Sequence, residues 1–222
     1  MFSEKWFKMD EDTSIININT RNEKIKNFFI KNKIKLIVSF SLIIVLLLIY
    51  FVMGEFKQKK KITISDDFNN YVQEYKNGNL EKSTNGLIEI IFKKDTTYSP
   101  LSLYFIIDNN LVVELDEINN FFDVIINETP LEKEIKNLLI YKKGLINADN
   151  SDEAFLLDVL NPLINSKSIW KSHALYLVAE YFYSKNEKQK AKDFYQKIIT
   201  IENANSDIKI KAQKRINRDL SD

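Results

Sequence analysis

The chain has 222 residues, 45% of them hydrophobic and 28% charged, with 32 Lys and Arg against 31 Asp and Glu. It has no cysteine, which excludes disulfides, thiolate zinc sites and iron–sulfur clusters, and with a single histidine nothing supports a conventional transition-metal cluster. The near-zero charge conceals a division: residues 1–35 carry eight bases and five acids, net +3, whereas residues 62–222 carry twenty bases and twenty-five acids, net −5. An acidic block with scattered lysines is a poor nucleic-acid binder, and no nucleic-acid partner is expected.

Residues 1–20 mix Trp6 and Phe7 with the acidic Asp10–Asp12 and a short alternating SIININT, which reads as a flexible tail. Residues 23–35, EKIKNFFIKNKIK, are basic and partly amphipathic, with Ile25, Phe28 and Phe29 able to face lipid while lysines meet headgroups. Residues 1–33 are therefore assigned as tail and juxtamembrane segment.

Leu36 to Met53 is an uncharged run, LIVSFSLIIVLLLIYFVM, preceded by KNKIK and followed by GEFKQKKK. A helix of this length spans roughly 27 Å, close to the thickness of a bilayer core. Ile34 extends the run because the stem of Lys35 can snorkel, giving an anchor over residues 34–54. A soluble core helix is rarely apolar on every face, and a cleaved signal has a short leader and small residues at its end. Here more than thirty residues precede the run, and Gly54 is followed by Glu55 and Phe56, so a retained transmembrane helix is expected. Six bases (Arg21, Lys24, Lys26, Lys31, Lys33 and Lys35) precede it, and four (Lys57, Lys59, Lys60 and Lys61) follow. That narrow margin places the amino-terminal side in the cytoplasm.

Residues 55–79 read as a linker and a first amphipathic helix, capped by Ser65 or Asp66, with Asp67 also near the helix start. Phe68, Tyr71, Val72 and Tyr75 share one face, and Asn77-Gly78 is a stop signal. Residues 80–222 then read as a run of amphipathic helices. The first spans 80–93, the second 101–114, the third 116–127, and a fourth starts at Pro130 and runs through Leu145. IEII and LYFII would pass for strands in isolation, but their neighbours extend the pattern to helical length. Asp149, Asp152 and Glu153 fit an acidic loop and a first helical turn rather than a cation site.

The strongest local pattern is the thirty-four-residue Ser172 to Asn205, a helix–turn–helix of tetratricopeptide length. Leu175, Val178, Ala179 and Phe182 form one face. Ser184 to Glu187 make the turn, and Ala191, Phe194, Tyr195 and Ile198 continue the contact. An earlier counterpart has Gly144, 35 residues before Ala179, and Ala154, 37 before Ala191, as its small packing residues. The pair 101–114 and 116–127 makes a further degenerate hairpin, and Ser206 to Leu220 a solvent-facing cap carrying Ile208, Ile210, Ala212 and Ile216. The fold class is all-α: one transmembrane helix followed by degenerate tetratricopeptide-like hairpins.

This organisation over residues 22–222, most specifically Leu138 to Ile199, resembles the single-span, tetratricopeptide-like ancillary subunit of the bacterial SecYEG translocon. The resemblance is carried by the small residue at the first helix crossing, the Leu157 to Leu163 stretch, Trp170 before the next helix, and Ala179, Ala191 and Tyr195. It departs where Ala179 replaces the usual glycine, Asn203 the usual proline and Ile198 a small residue. The resemblance implies a short cytoplasmic amino terminus, a periplasmic repeat domain in the inner membrane, and association with the translocon and with periplasmic chaperones or exported clients. An envelope-assembly or cell-division scaffold is the alternative.

On a repeat domain the concave face would carry His173, Tyr176, Glu180 and Tyr183, with Tyr141 from the previous repeat. The rings offer amphipathic contact area, and Glu180 would select a basic group of a partner. Packing roles are expected for Gly144, Ala154, Ala179, Ala191 and Tyr195, and for Trp170 as a wedge between helices. No glycine-rich phosphate loop, zincin motif, nucleophile elbow or histidine triad is present, so no enzyme activity and no cofactor are expected.

Overall fold

The computed structural model describes the backbone of residues 4–220 and the side chains of residues 21–220 apart from residue 57. All regular structure among the described residues is helical. Two compact units divide the chain, Met1–Lys60 and Lys61–Asp222.

The first helix, α1, runs Glu4–Lys76 without interruption. Its sequence contains no proline and a single glycine, Gly54, which costs a helix interior only about 1 kcal/mol. Two expectations are corrected here. Helix begins at Glu4 where a flexible tail was expected to extend to residue 20. Ser65, Asp66 and Asp67 lie inside α1 rather than at a helix start.

In the first unit every residue from Ile37 to Met53 is exposed, so the apolar run buries none of its faces within that unit. By length and composition this helix can cross a membrane. Its fourteen Leu, Ile, Val and Phe residues between 36 and 53 each favour bilayer insertion by about 0.3–0.6 kcal/mol, roughly 4–8 kcal/mol together.

The second unit holds the end of α1 and eight further helices. These are α2 (Leu80–Phe92), α3 (Tyr98–Asp108), α4 (Leu115–Glu128), α5 (Lys133–Asn147), α6 (Glu153–Ile164), α7 (Lys171–Ser184), α8 (Lys188–Thr200) and α9 (Ser206–Asp219). Three of the breaks are Schellman motifs, in which the residue after the helix takes the left-handed conformation and two amides return to the last turn. Gly78 (φ +84°), Asn110 (φ +50°) and Asn186 (φ +62°) hold those positions after α1, α3 and α7. The stop at Asn77-Gly78 and the turn at Ser184 to Glu187 are thus where the sequence puts them. Asn110 also explains why α3 ends at Asp108 instead of continuing to residue 114. At the start of α3, Asp95 Oδ1 accepts from the amides of Thr97 and Tyr98 at 2.9 and 2.8 Å, capping a helix that begins at Tyr98 rather than Leu101. The expected start of α5 at Pro130 moves to Lys133. Asp152 caps α6 by accepting from the Phe155 amide at 2.8 Å, which accounts for one carboxylate of the acidic loop.

The helices pack as antiparallel hairpins resembling a tetratricopeptide stack. α7 and α8 make the most extensive pair, followed by α2 with α3, α8 with α9, and α5 with α6; α9 also touches α7. The expected pairing of the second and third helices is corrected: α3 packs more fully on α2 than on α4. Helices two apart also touch, α5 with α7 and α7 with α9, so these three stand side by side. The core runs through the stack from Leu87, Ile91, Leu103 and Phe122 to Leu139, Leu156 and Leu160, and on to Leu175, Val178, Phe182, Tyr195 and Ile198.

Two close approaches set helix spacing. A Cβ on Gly144 would meet Leu160 Cδ2 at 2.5 Å, and one on Gly86 would meet the Tyr71 ring at 2.2 Å. Ala179 and Ala191 are fully buried in the α7–α8 pair. Ala154 is exposed, which corrects its assignment as a packing residue. The core face of α6 is Leu156, Leu160 and Leu163 at helical spacing, and a residue two before Leu156 points to the opposite side.

Candidate interaction surface

The row α5–α7–α9 carries the five expected face residues, but divides them into two groups. Tyr176, Glu180 and Tyr183 lie along α7 toward α9 and belong to an internal network. Glu180 Oε1 accepts from the Tyr195 hydroxyl at 2.6 Å and from Arg215 Nε at 2.8 Å, while Arg215 Nη2 donates to Oε2. Arg215 Nη1 also donates to Asp219 at 2.9 Å, and its guanidinium lies 4.9 Å from the centre of the Tyr183 ring. The Tyr176 ring meets Tyr195 edge-on at 5.5 Å.

This geometry fixes the electrostatics of the group. Burial alone would raise the Glu180 pKa, but hydrogen bonds from Arg215, Tyr195 and Tyr176 outweigh it and hold the carboxyl below its ordinary value. Burial, and then the carboxylate, push the Tyr195 hydroxyl far above the usual tyrosine range, so it stays a donor. The expectation that Glu180 would select a basic group of a partner is corrected: that basic group is Arg215 of the same chain. Arg215 itself was missed by sequence reasoning. A signal existed, since only three of the 32 Lys and Arg residues are arginine, and a planar fork is the base suited to a bidentate carboxylate.

The second group is an aromatic cluster at the other end of α7. Trp170 stacks on Tyr141 with ring centres 5.9 Å apart and planes 18° from parallel, and His173 approaches both rings, at 5.2 Å from Trp170 and 5.8 Å from Tyr141. All three are half-buried. Trp170 thus bridges α5 and α7. Its neighbour Ile169 is 67% exposed. Burial lowers the His173 pKa, the Ile169 carbonyl partly opposes this, and the charge of Lys211 on α9 adds to the lowering. His173 Nδ1 is shielded from solvent. Burial likewise raises the Tyr141 pKa.

No protein-family model, no characterised protein and no solved structure matches this chain. Among the described residues it is all-helical, with tetratricopeptide-like hairpin repeats and one helix long and apolar enough to span a membrane. Its charge is unevenly spread along the stack. Residues 95–132 carry eight acids and no base, while residues 185–222 carry ten bases and six acids. The open aromatic face therefore lies nearer the basic end of an acidic unit.

Proposed function

We propose that the chain is a non-enzymatic, membrane-anchored scaffold that serves as an accessory of the protein translocon. In this reading the amino terminus is cytoplasmic, the repeat unit lies in the periplasm of an inner membrane, and the stack meets chaperones or emerging clients of export. The observation that carries it is the joining, in one chain, of an uncovered apolar helix to a hairpin stack with a half-exposed aromatic cluster at Tyr141, Trp170 and His173. Such stacks bind extended partners along their side-by-side helices, and an anchor raises the local concentration of the binding surface without any cofactor. The excess of bases before the span and the resemblance over residues 22–222 support the orientation and the export assignment.

Affinity capture of the full chain after mild membrane solubilisation tests the reading. Enrichment of translocon components or periplasmic chaperones is expected. Reproducible loss of both, with envelope-assembly or division proteins recovered instead, would transfer the scaffold to those machines.

A further inference from the structure

We propose that the Tyr141–Trp170–His173 cluster, with exposed Ile169 and the unpaired lysines beside it, docks an acidic segment of a partner protein that presents an apolar side chain among its carboxylates. The inference rests on the scaffold reading and names the chemistry of the partner. Three observations carry it.

The first is shape and polarity. The stacked Trp170 and Tyr141 rings make a flat, half-buried platform, and Ile169 stands open next to it. Rigid aromatic rings give large contact area at little entropic cost and recur at the centres of interfaces. Ile169 and Lys171, the chain neighbours of Trp170, together with Lys167 line part of a cavity of about 260 Å³ between the α6–α7 and α8–α9 connections; the three rings themselves do not line it.

The second is unsatisfied charge. Lys82, Lys93, Lys94, Lys143 and Lys190 all pair with carboxylates of the unit. Lys167 and Lys171, which flank the cluster in the chain, enter no ion pair among the described residues, and neither does Lys211, whose charge reaches His173. Other lysines of the unit, Lys133 and Lys209 among them, also enter no ion pair among the described residues; what sets these three apart is their place around the aromatic rings. Glu202 is the one acid on the cavity wall, so two lysines outnumber it there.

The third is the loss of the opposite preference. Glu180 is already neutralised by Arg215, and the carboxylates left near the cluster, Glu134, which accepts from the Ser168 hydroxyl at 2.7 Å, and Glu202, are outnumbered by Lys167, Lys171 and Lys211. What remains is an aromatic surface whose edge carries more cations than carboxylates, complementary to carboxylates around an apolar residue.

The test uses the full chain in zwitterionic nanodiscs, with Trp6→Phe so that Trp170 is the sole fluorescent tryptophan. Three labelled peptides are titrated at neutral pH: one alternating Glu with Phe and Leu, its Gln-for-Glu form and its Lys-for-Glu form. The acidic peptide is expected to shift Trp170 emission and to bind at least about tenfold more tightly than the neutral one, with the basic one not binding. Lys167→Glu, Lys171→Glu and Lys211→Glu together should weaken the acidic peptide by about tenfold or more while leaving the melting curve in place. Trp170→Ala should remove binding.

Equal affinity for the acidic and neutral peptides overturns the acidic chemistry, as does the absence of any binding. A Trp170 shift with anionic vesicles and none with peptides assigns the lysines to lipid headgroups and also overturns it. Translocon capture that persists unchanged in the triple charge-reversed chain defeats this inference while leaving the scaffold reading intact. Failure of capture by the unsubstituted chain defeats the scaffold reading itself.

Discussion

Gly86 offers a direct test of how the last turns of α1 join the hairpin stack. It is buried in α2, and a methyl group there would sit 2.2–2.4 Å from three atoms of the Tyr71 ring. In an open helix, Gly→Ala is worth about 0.5–1 kcal/mol of added stability. Here the overlap is with a ring, which cannot move its edge aside as an aliphatic tip can, and overpacking of this kind costs about 1–3 kcal/mol. Gly86→Ala should therefore destabilise by about 1–2 kcal/mol, a fall in Tm of about 2–8 °C for a unit of this size. On a Tyr71→Ala background the obstacle is gone, and the same substitution should become stabilising by about 0.5–1 kcal/mol. A double-mutant cycle from urea unfolding, followed by circular dichroism, reads the coupling, expected near 2 kcal/mol. Gly54→Ala, with nothing within 4 Å of its Cβ, is the control that should only gain. If Gly86→Ala stabilises equally with and without Tyr71, the contact between α1 and α2 is refuted.

Two further predictions concern titration and the Glu180 network. The folded His173 pKa lies below its ordinary 6.5, so between the two values the unfolded chain binds more protons. Stability should be full above about pH 6.5 and fall as the pH drops toward the folded value. Because this is the only histidine, His173→Gln should flatten the dependence of Tm on pH in that window, and an unchanged slope would contradict the burial described for it. Glu180→Ala leaves Arg215 with Asp219 alone and the buried Tyr195 hydroxyl unpaired, and should cost about 2 kcal/mol by urea unfolding. Tyr195→Phe should cost about 1 kcal/mol, and the pair of substitutions less than the sum. Strict additivity would mean that the two groups do not share a bond.

The fold was readable from the sequence where period and punctuation agreed. The 3.6-residue pattern of Leu175, Val178 and Phe182, closed by the Asn186 turn, fixes α7 and α8 almost to the residue. It was less readable where local chemistry had two uses. Ser65 and Asp66 look like caps, but in a helix already running their side chains are free for other work; Ser65 Oγ accepts from the Tyr98 hydroxyl at 2.7 Å. Nearby, Asp67 pairs with Lys93 at 2.8 Å across 26 residues. Ala154 shows the limit of matching small residues by offset, since two residues of drift reverse the face of a helix. Tyr141 and His173 were expected on one face of neighbouring repeats, and their rings do meet, 5.8 Å apart. The pairing of Glu180 with Arg215 was not expected, because contacts 35 residues apart depend on how α9 settles against α7, which no local pattern encodes.

The most direct measurement of the central claim is photo-crosslinking in intact cells from a benzoyl-phenylalanine placed at position 169, where the native isoleucine is exposed beside Trp170. The account predicts crosslinks to translocon subunits, periplasmic chaperones or exported chains, lost when Trp170→Ala is added. Crosslinks confined to cytoplasmic proteins would contradict the orientation and the function together.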